Sequence, residues 1–387
     1  MSYKTFLILF LGMIFGFGPF LTDMYLPAFP QMQESFGADA STVQLSLSAC
    51  MLGLAMGQVL WGPLSDKYGR RPVTMLSLWI FMLSCVGCML APGIEFLTAM
   101  RLLQGIGGSG GLVLSRSITA DLYSGKELAR MMAIIGAVNG IAPVTAPVIG
   151  GLLTDSFGWR GIFAVLLGIG AMLTLGCCRF RESLPPARRG GTSLQSTFSA
   201  FHALLHNKPY TWSILQYGFL HGIFFSYLSS SPFIIQSHYG FSATAYSIFF
   251  AVNATTVGIA SALSMKFRTP HRCTFIASLS LLILSVIVAI VLFTGGPVWM
   301  YEACTLLQVF CCGLCFASTP SIALDQGRSN AGSAAALLGV FTYVFGCIIT
   351  PLVSLGDTLT STGTIYVVSA VMTLFFASKL NRPTSQA

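Results

Sequence analysis

Two oppositely charged side chains lie near the ends of long apolar runs, where a charge is costly. Asp23 lies a few residues before the end of the first run, and Arg101 lies a few residues into the fourth. A charge within a bilayer costs at least about 2.5–3.5 kcal/mol on insertion scales, so it usually faces a cavity or a partner. Because the two residues have matching depths, we expect them to pair, with Asp23 taking up and releasing a proton.

Each of these residues also has a structural interpretation. Asp23 could be a carboxylate at the membrane interface that helps to end a helix before Pro27. Arg101 could tie down backbone carbonyl groups of a neighbouring helix. For Arg116, in the same apolar run, snorkelling to the inner surface is the simpler explanation.

Uncharged polar side chains within the apolar runs could line a substrate cavity. A histidine near the middle of a bilayer could take a proton or bind substrate, although a neutral histidine bonded across helices explains it equally well. Intramembrane amides are likewise often ties between helices. The predicted cavity residues are Gln58, Gln104, Asn139, Tyr217, His221 and Asn253.

Neither an enzyme nor a metal protein is predicted. The two CxxC spacings, Cys85/Cys88 and Cys312/Cys315, lie in apolar runs without a nearby His or carboxylate, where cysteine behaves as a small hydrophobic residue. No catalytic triad or phosphate-binding loop occurs. We therefore expect no cofactor, and an ion gradient rather than ATP as the energy source.

The composition indicates a polytopic helical membrane protein. Only 8% of the 387 residues are charged and 54% are hydrophobic, against about 25% charged residues in an average soluble domain. A helical span needs about 20 apolar residues, so this length accommodates about a dozen spans with short connections. The predicted fold class is therefore all-α.

Twelve spans can be drawn, six on each side of a polar linker. The predicted domains are an N-terminal six-helix bundle over 1–180, a linker over 181–208 and a C-terminal six-helix bundle over 209–387. The first run, about Thr5 to Ala28, lacks a small-residue cleavage site and is predicted to be a retained span. The others are predicted near 42–64, 73–90, 96–120 and 131–153, then, after an outer turn from Asp155 to Arg160, in a sixth span that ends near Cys178, and near 210–234, 243–265, 273–293, 298–323, 332–354 and 363–379.

The fourth run is rich in glycine, and the fifth contains Pro143 and Pro147. Gly105, Gly107, Gly108, Gly110 and Gly111 would destabilise an isolated helix by about 1 kcal/mol each, so we expect neighbouring helices to approach closely there. The two prolines remove backbone donors and could kink their helix.

The basic residues report topology rather than nucleic-acid binding. When the runs are threaded alternately, seventeen of the twenty Lys and Arg fall on the starting side; the other three are Arg101, Arg116 and Arg160. Positive residues accumulate in cytoplasmic loops. Both termini are therefore predicted to be cytoplasmic.

The loop between the second and third runs concentrates charge. The stretch from Gly62 to Pro72 holds two glycines, two prolines, Asp66 and three cations, and it is predicted to be a tight cytoplasmic turn. Asp66 could latch one helix pair to another through these cations or a neighbouring helix N-terminus. The predicted latch residues are Gly62, Asp66, Gly69, Arg70 and Arg71.

These residues resemble the loop signature of the major facilitator superfamily, Gly62-x-Leu64-x-Asp66-x-x-Gly69-Arg70-Arg71. Further segments resemble its bicyclomycin and chloramphenicol resistance group of drug:proton antiporters. They run from Thr22 to Ala28, from Trp61 to Asp66, from Arg101 to Gly105, from Ala142 to Gly151 and from Gly158 to Phe163, and they cover most of the first half.

The resemblance implies roles for the matching positions. Asp23 matches the first-helix acid implicated in proton coupling, and Arg101 the fourth-helix basic residue thought to respond to it. Pro143, Pro147, Gly150 and Gly151 match the antiporter motif. The sequence departs from the fullest motif at 133, 142 and 146, where alanines replace glycines.

The resulting prediction is a proton-coupled exporter of small, largely apolar compounds. It would be a monomeric, multi-pass antiporter of the bacterial inner membrane that interacts with substrate, protons and lipid but not with nucleic acid. Two alternatives remain: a proton-coupled metabolite exporter or importer on the same fold, and a membrane receptor that does not transport.

Overall fold

The computed structural model describes residues 3–190, 194–328 and 331–381, and these ranges are predominantly helical and contain no strand. The helices are α1 (Tyr3–Phe15), α2 (Phe17–Thr22), α3 (Phe29–Phe36), α4 (Ala40–Tyr68), α5 (Arg70–Met89), α6 (Ile94–Leu122), α7 (Gly125–Arg179), α8 (Leu194–His206), α9 (Lys208–Pro232), α10 (Ala243–Leu263), α11 (Pro270–Phe293), α12 (Val298–Gln326), α13 (Ala331–Leu352) and α14 (Thr358–Leu380).

The described helices account for twelve spans. Nine are long and apolar enough to cross a membrane, and the bent segment formed by α1, α2 and α3 makes a tenth. The 55-residue α7 consists of two helices that meet at a kink at Gly158, where φ is +70° and ψ is 175°, and its length accommodates two spans. The glycine-rich α6, which carries Arg101 and Arg116 over 29 residues, completes the twelve. The predicted all-α, twelve-span fold class is confirmed.

The first span is broken. The sequence analysis had treated it as one continuous run. Its two parts meet at Gly16 with a bend of 41°. Pro19 has no N–H with which to bond the carbonyl of Phe15, and Pro27 likewise leaves the carbonyl of Asp23 without its helical donor. Leu26 N–H donates to that carbonyl instead, at 3.3 Å, in a tighter turn. Asp23 therefore lies at the C-terminal cap of the short helix α2.

The glycines of α6 allow the close packing that we predicted. A Cβ on Gly53 would press on the backbone of α6 at Leu102, and a Cβ on Gly105 would press on the backbone of α4 at Cys50. Gly107, Gly108, Gly110 and Gly111 are confined in the same way by side chains or backbone of α5, α2 and α1. α6 thus lies at the centre of its bundle because its small residues let three neighbours approach.

The chain forms two compact units. The first comprises Met1–Thr197 together with Ser242–Ile248, and the second comprises Phe198–Phe241 and Phe249–Ala387. The start of α10 belongs to the first unit because it packs on α7. Asp155 Oδ2 accepts hydrogen bonds from Thr244 N–H (3.1 Å) and Thr244 Oγ1 (2.5 Å), and Gly151 leaves no room for a side chain beside Ser247.

In the second unit, α11 packs on α12 and α14, and α9 packs on α12, α13 and α14. A single π-helical turn, Phe233–His238, follows α9. The predicted linker holds a 3₁₀ turn, Pro186–Arg188, and the whole of the amphipathic helix α8, which the sequence analysis did not predict.

Candidate functional site

Asp23 is a buried carboxyl with one hydrogen-bond donor. The residue is only 6% exposed, and Thr22 Oγ1 donates a hydrogen bond to Oδ1 at 2.7 Å. Among the residues that the structure describes, no cation forms an ion pair with it. A buried carboxylate without a counter-charge is expensive, so this position favours a carboxyl that can be neutralised by a proton.

Arg101 does not pair with Asp23, and the predicted ion pair is wrong for this structure. The guanidinium is fully buried, donates from Nη2 to the carbonyl of Leu21 at 2.9 Å and donates from Nη1 to the side chain of Gln104. It also lies 4.3 Å from the ring centroid of Tyr25. Because α2 ends at Thr22, its last carbonyls lack helical donors, and a cation at that position satisfies one of them.

Arg101 is therefore a clamp on the broken first span. It holds the residues on both sides of Asp23, Leu21 through a hydrogen bond and Tyr25 through its aromatic face. The Tyr25 hydroxyl is fixed in turn by a 2.8 Å hydrogen bond shared with Ser46. The alternative interpretation of Arg101, a tie to backbone carbonyls, describes its contacts correctly.

The predicted antiporter-motif residues bring α7 against the segment that carries Asp23. A Cβ on Gly150 would press on the carbonyl of Met24, the residue next to Asp23. Gly151 faces the start of α10 in the same way. Pro143 and Pro147 lie inside α7, which keeps helical backbone angles at both positions. Close contact at Gly150 is thus the feature that places this helix beside the acid.

The predicted turn from Gly62 to Pro72 is much shorter in the structure. α4 continues through Gly62 and Pro63 to Tyr68, and α5 begins at Arg70, so Gly69 alone makes the turn. Its φ of +101° favours glycine. The prediction that Gly62 shapes this turn is wrong, because Gly62 lies inside α4 with open space beside it.

Arg70 is the centre of the charged network at this turn. It bonds Asp66 Oδ1 at 2.6 Å, Asp121 Oδ2 at 2.8 Å and Ser65 Oγ at 2.5 Å. Burial lowers the pKa of its guanidinium, but the hydrogen bonds and charges of Asp121 and Asp66 together outweigh burial and leave the pKa above its ordinary value. Asp66 thus contacts the cation four residues later, as one of the two predicted alternatives stated.

Glu182, which the sequence analysis did not single out, completes the network. Its two carboxylate oxygens accept the backbone N–H groups of Arg70 at 2.9 Å and Arg71 at 3.1 Å. Arg71 also donates from Nη2 to the carbonyl of Cys178 at 2.8 Å. The network therefore joins α4, α5, α6 and the segment after α7, all inside the first unit.

A mostly apolar cavity of about 300 Å³ lies in the first unit. One of its lining residues, Phe20, comes three residues before Asp23 in the sequence. One wall comes from α1 and α2, and the rest from both halves of α7. The lining residues are Met13, Gly16, Phe17, Phe20, Ile141, Ala142, Thr145, Ile169 and Met172. Its volume and lining suit a small apolar compound.

Of the predicted cavity residues whose side chains the structure describes, none lines this cavity. Gln104 is fully buried, and its amide donates to Cys85 Sγ at 3.0 Å. His221 Nδ1 is 2.8 Å from the carbonyl of Tyr217 in the same helix, so its bond is within α9 and not across helices. Gln58 is partly exposed on α4. The side chain of Asn139 lies outside the part of the molecule that the structure describes.

Asn253 reveals a residue that the sequence analysis missed. Its Nδ2 donates to Glu302 Oε1 at 2.6 Å and to the Tyr227 hydroxyl at 3.0 Å, all in the second unit. Glu302 lies in the first turns of α12, inside a run predicted to span the membrane. A carboxylate in such a run was the available signal, and it was overlooked because it stands near the helix end.

Comparison with known proteins gives consistent matches over the chain. The profile of the Major Facilitator Superfamily matches residues 6–351. An uncharacterised MFS-type transporter, YdgK of Bacillus subtilis, is 36% identical over 369 residues, which cover 94% of this chain and 92% of that protein. A bicyclomycin resistance protein homolog of Haemophilus influenzae is 30% identical and covers 68% of this chain and 66% of its own length.

A solved structure shows the same fold. The bacterial homolog of the human lysosomal transporter Spinster, in its inward-facing and unoccupied conformation, superposes with a TM-score of 0.74. Its sequence identity is 18%, and the match covers 98% of this chain and 95% of that one.

Proposed function

The chain belongs to the major facilitator superfamily, and from this premise we propose that it exports small, largely apolar, drug-like compounds in exchange for protons. A relative with 30% identity is named for bicyclomycin resistance, which supports drug export. The apolar cavity of the first unit supports a substrate of this kind over a polar metabolite. A bacterial inner membrane is the proposed location.

The observation that carries this proposal is the buried carboxyl of Asp23, which forms no ion pair in the ranges that the structure describes. Arg101 clamps its segment from one side, and Gly150 packs beside Met24 from the other. A proton on Asp23 removes the cost of a buried charge, whereas exposure to water removes that cost without a proton. Any conformational change that alters its exposure therefore changes its proton occupancy, and this links transport to the proton gradient.

The test of this function is export from proteoliposomes with an imposed pH gradient. We expect chloramphenicol and bicyclomycin to accumulate against their gradients when protons can flow the other way. One pH unit supports about a tenfold accumulation ratio per exchanged proton. Collapse of the gradient by an ionophore should abolish accumulation. Export of sugars or amino acids with neither compound transported would favour the metabolite transporter, and no transport at all would favour the receptor.

The proposed orientation, with both termini cytoplasmic, predicts a labelling pattern. In a cysteine-free background, cysteine at the exposed Lys67 should react only from the cytoplasm. Cysteine at the exposed Ser35 or Ser156 should react only from outside. Detergent-solubilised protein, in which all three sites should react, is the control. Reaction of the Lys67 site with an impermeant reagent in intact cells would contradict the proposed orientation and indicate the opposite one.

Filling the apolar cavity should impair export of bulky compounds. Thr145→Phe adds a ring to a cavity of about 300 Å³. Overpacking typically costs about 1–3 kcal/mol, so we expect chloramphenicol export to fall by about tenfold. Thr255→Phe is the matched control, because Thr255 is exposed on α10 and, like Thr145, bonds a carbonyl one turn earlier in its helix. Equal losses in the two variants would show that the cavity does not hold substrate.

A further inference from the structure

The second unit contains its own buried polar cluster around Glu302. Asn253 on α10 donates one amide hydrogen bond to Glu302 Oε1, at 2.6 Å, and another to the Tyr227 hydroxyl on α9, at 3.0 Å. Tyr301 on α12 and Tyr366 on α14 lie close enough to interact electrostatically with the carboxyl, and both are fully buried. Four helices thus converge on one acidic side chain.

The hydrogen bonding of this cluster is incomplete in a specific way. Four buried oxygen atoms of these side chains have no hydrogen-bond partner: Glu302 Oε2, Asn253 Oδ1 and the hydroxyl oxygens of Tyr301 and Tyr366. The first two belong to the two side chains that are already joined by the hydrogen bond from the amide to Oε1. An ionised carboxylate and an amide oxygen can only accept hydrogen bonds. Neither tyrosine hydroxyl is bonded to Oε2 in this arrangement, so Oε2 and Oδ1 both lack a donor while Glu302 is charged.

A single proton corrects this imbalance. Protonation of Oε2 turns it into a donor, and Asn253 Oδ1, on the amide that already bonds Oε1, is an acceptor in need of one. The carboxylic acid and the amide can then pair through two parallel hydrogen bonds, one in each direction. The proton also removes a buried charge, whose uncompensated cost is several kcal/mol.

No basic residue offers another way to stabilise the charge. In the described ranges, Glu302 forms no ion pair with Lys, Arg or His. The titratable groups that face it are Tyr227, Tyr301 and Tyr366, with Tyr239 in ring contact with Tyr301. α11, which also packs on α12, has no titratable residue after Cys273. All the facing groups are neutral at physiological pH, so the neutral acid is the matching state of Glu302.

We propose that Glu302 is a second proton-binding residue, carried by the second unit and independent of Asp23. It holds a proton in the conformation described here and releases it when the cluster opens to water. In transport, which rests on the function proposed above, this carboxyl moves a proton in addition to the one assigned to Asp23.

The direct test is infrared difference spectroscopy of the purified full-length protein over a pH titration. We expect a protonated-carboxyl C=O band that disappears in Glu302→Gln and persists in Asp23→Asn. Glu95→Gln, at an exposed carboxylate near the start of α6, is the matched control and should keep the band. Asn253→Ser should keep the band but shift its frequency, because the carboxyl loses its amide partner. A Glu302→Gln spectrum identical to that of the unmodified protein at every pH would overturn the proposal.

This measurement does not depend on a known substrate, so it remains decisive if the proposed export function fails. In proteoliposomes that do export chloramphenicol, Glu302→Gln should lower the limiting accumulation ratio about tenfold per unit of pH gradient, the effect of one fewer proton. The competing role is recognition of a cationic substrate. If Glu302→Gln weakens binding of the lipophilic cation ethidium but leaves both the spectrum and the accumulation ratio unchanged, the carboxyl binds cations and the proposal is wrong.

Discussion

Asp23→Asn is expected to remove the part of proton-driven uphill export that the Asp23 proton supports, while leaving downhill movement of the same compound. Asn keeps the shape of the side chain and an oxygen that can accept the hydrogen bond from Thr22 Oγ1, 2.7 Å away in the unmodified protein. It cannot take up or release a proton. With one pH unit across the membrane, the accumulation ratio supported by this residue should therefore fall about tenfold.

Substrate-induced proton release from purified protein measures this effect directly. Addition of chloramphenicol should release fewer protons from Asp23→Asn than from the unmodified protein. Asp39→Asn is the control, because Asp39 is an exposed acid before α4 whose side chain makes no capping hydrogen bond. If Asp23→Asn releases protons as the unmodified protein does, then Asp23 is not a carrier, and Glu302 and then His221 become the residues to test.

Arg101→Ala is expected to damage folding and transport together, and a simultaneous Asp23→Asn change should not rescue it. The guanidinium holds Leu21 through its carbonyl and Tyr25 through its ring, and it bonds Gln104. Hydrogen bonds to charged groups contribute about 1.5–3 kcal/mol each, so losing two of them costs about 3 kcal/mol or more. We expect a lower thermal unfolding midpoint and little export.

The variant that combines Arg101→Ala with Asp23→Asn distinguishes a clamp from an ion pair. In an ion pair, removal of Asp23 would relieve the uncompensated charge left by Arg101→Ala, and the two losses of stability would not add. In the clamp described here, the losses should add, because Arg101 bonds the backbone around Asp23 rather than its carboxylate. Recovery of the unfolding midpoint in the double variant would restore the ion-pair interpretation. Arg116→Ala is a suitable control, since Arg116 is exposed on the same helix.

The contact between Gly150 and Met24 gives the motif helix a physical role beside Asp23. The backbone of α7 can lie against the carbonyl of Met24 only because position 150 has no side chain. A movement of α7 at this point would be passed to the neighbouring Asp23 by hard contact. The alanines at 142 and 146 are both buried, so these departures from the fullest motif are accommodated in the packing.

Much of the fold is determined by local properties of the sequence. Twenty apolar residues cannot remain in water, and a helix is the way to satisfy their backbone in lipid, so the spans and their number follow from composition. The predicted ends of most spans agree with the helices within a few residues, as for the run predicted at 273–293 and α11 at Pro270–Phe293. The glycines of α6 likewise indicated close packing, because no other role offsets their cost in a helix.

The partners of the buried charges were decided by tertiary structure alone. Sequence spacing gives the depth of a residue along a straight helix, but not the rotation of the helix or the backbone groups that face it. The break at Gly16 redirected the residues around Asp23 and left the carbonyl of Leu21 for Arg101, which no pattern of side chains could reveal. Asn253 and Glu302 are 49 residues apart in the chain, and their hydrogen bond requires α10 and α12 to meet. Only packing brings such residues together.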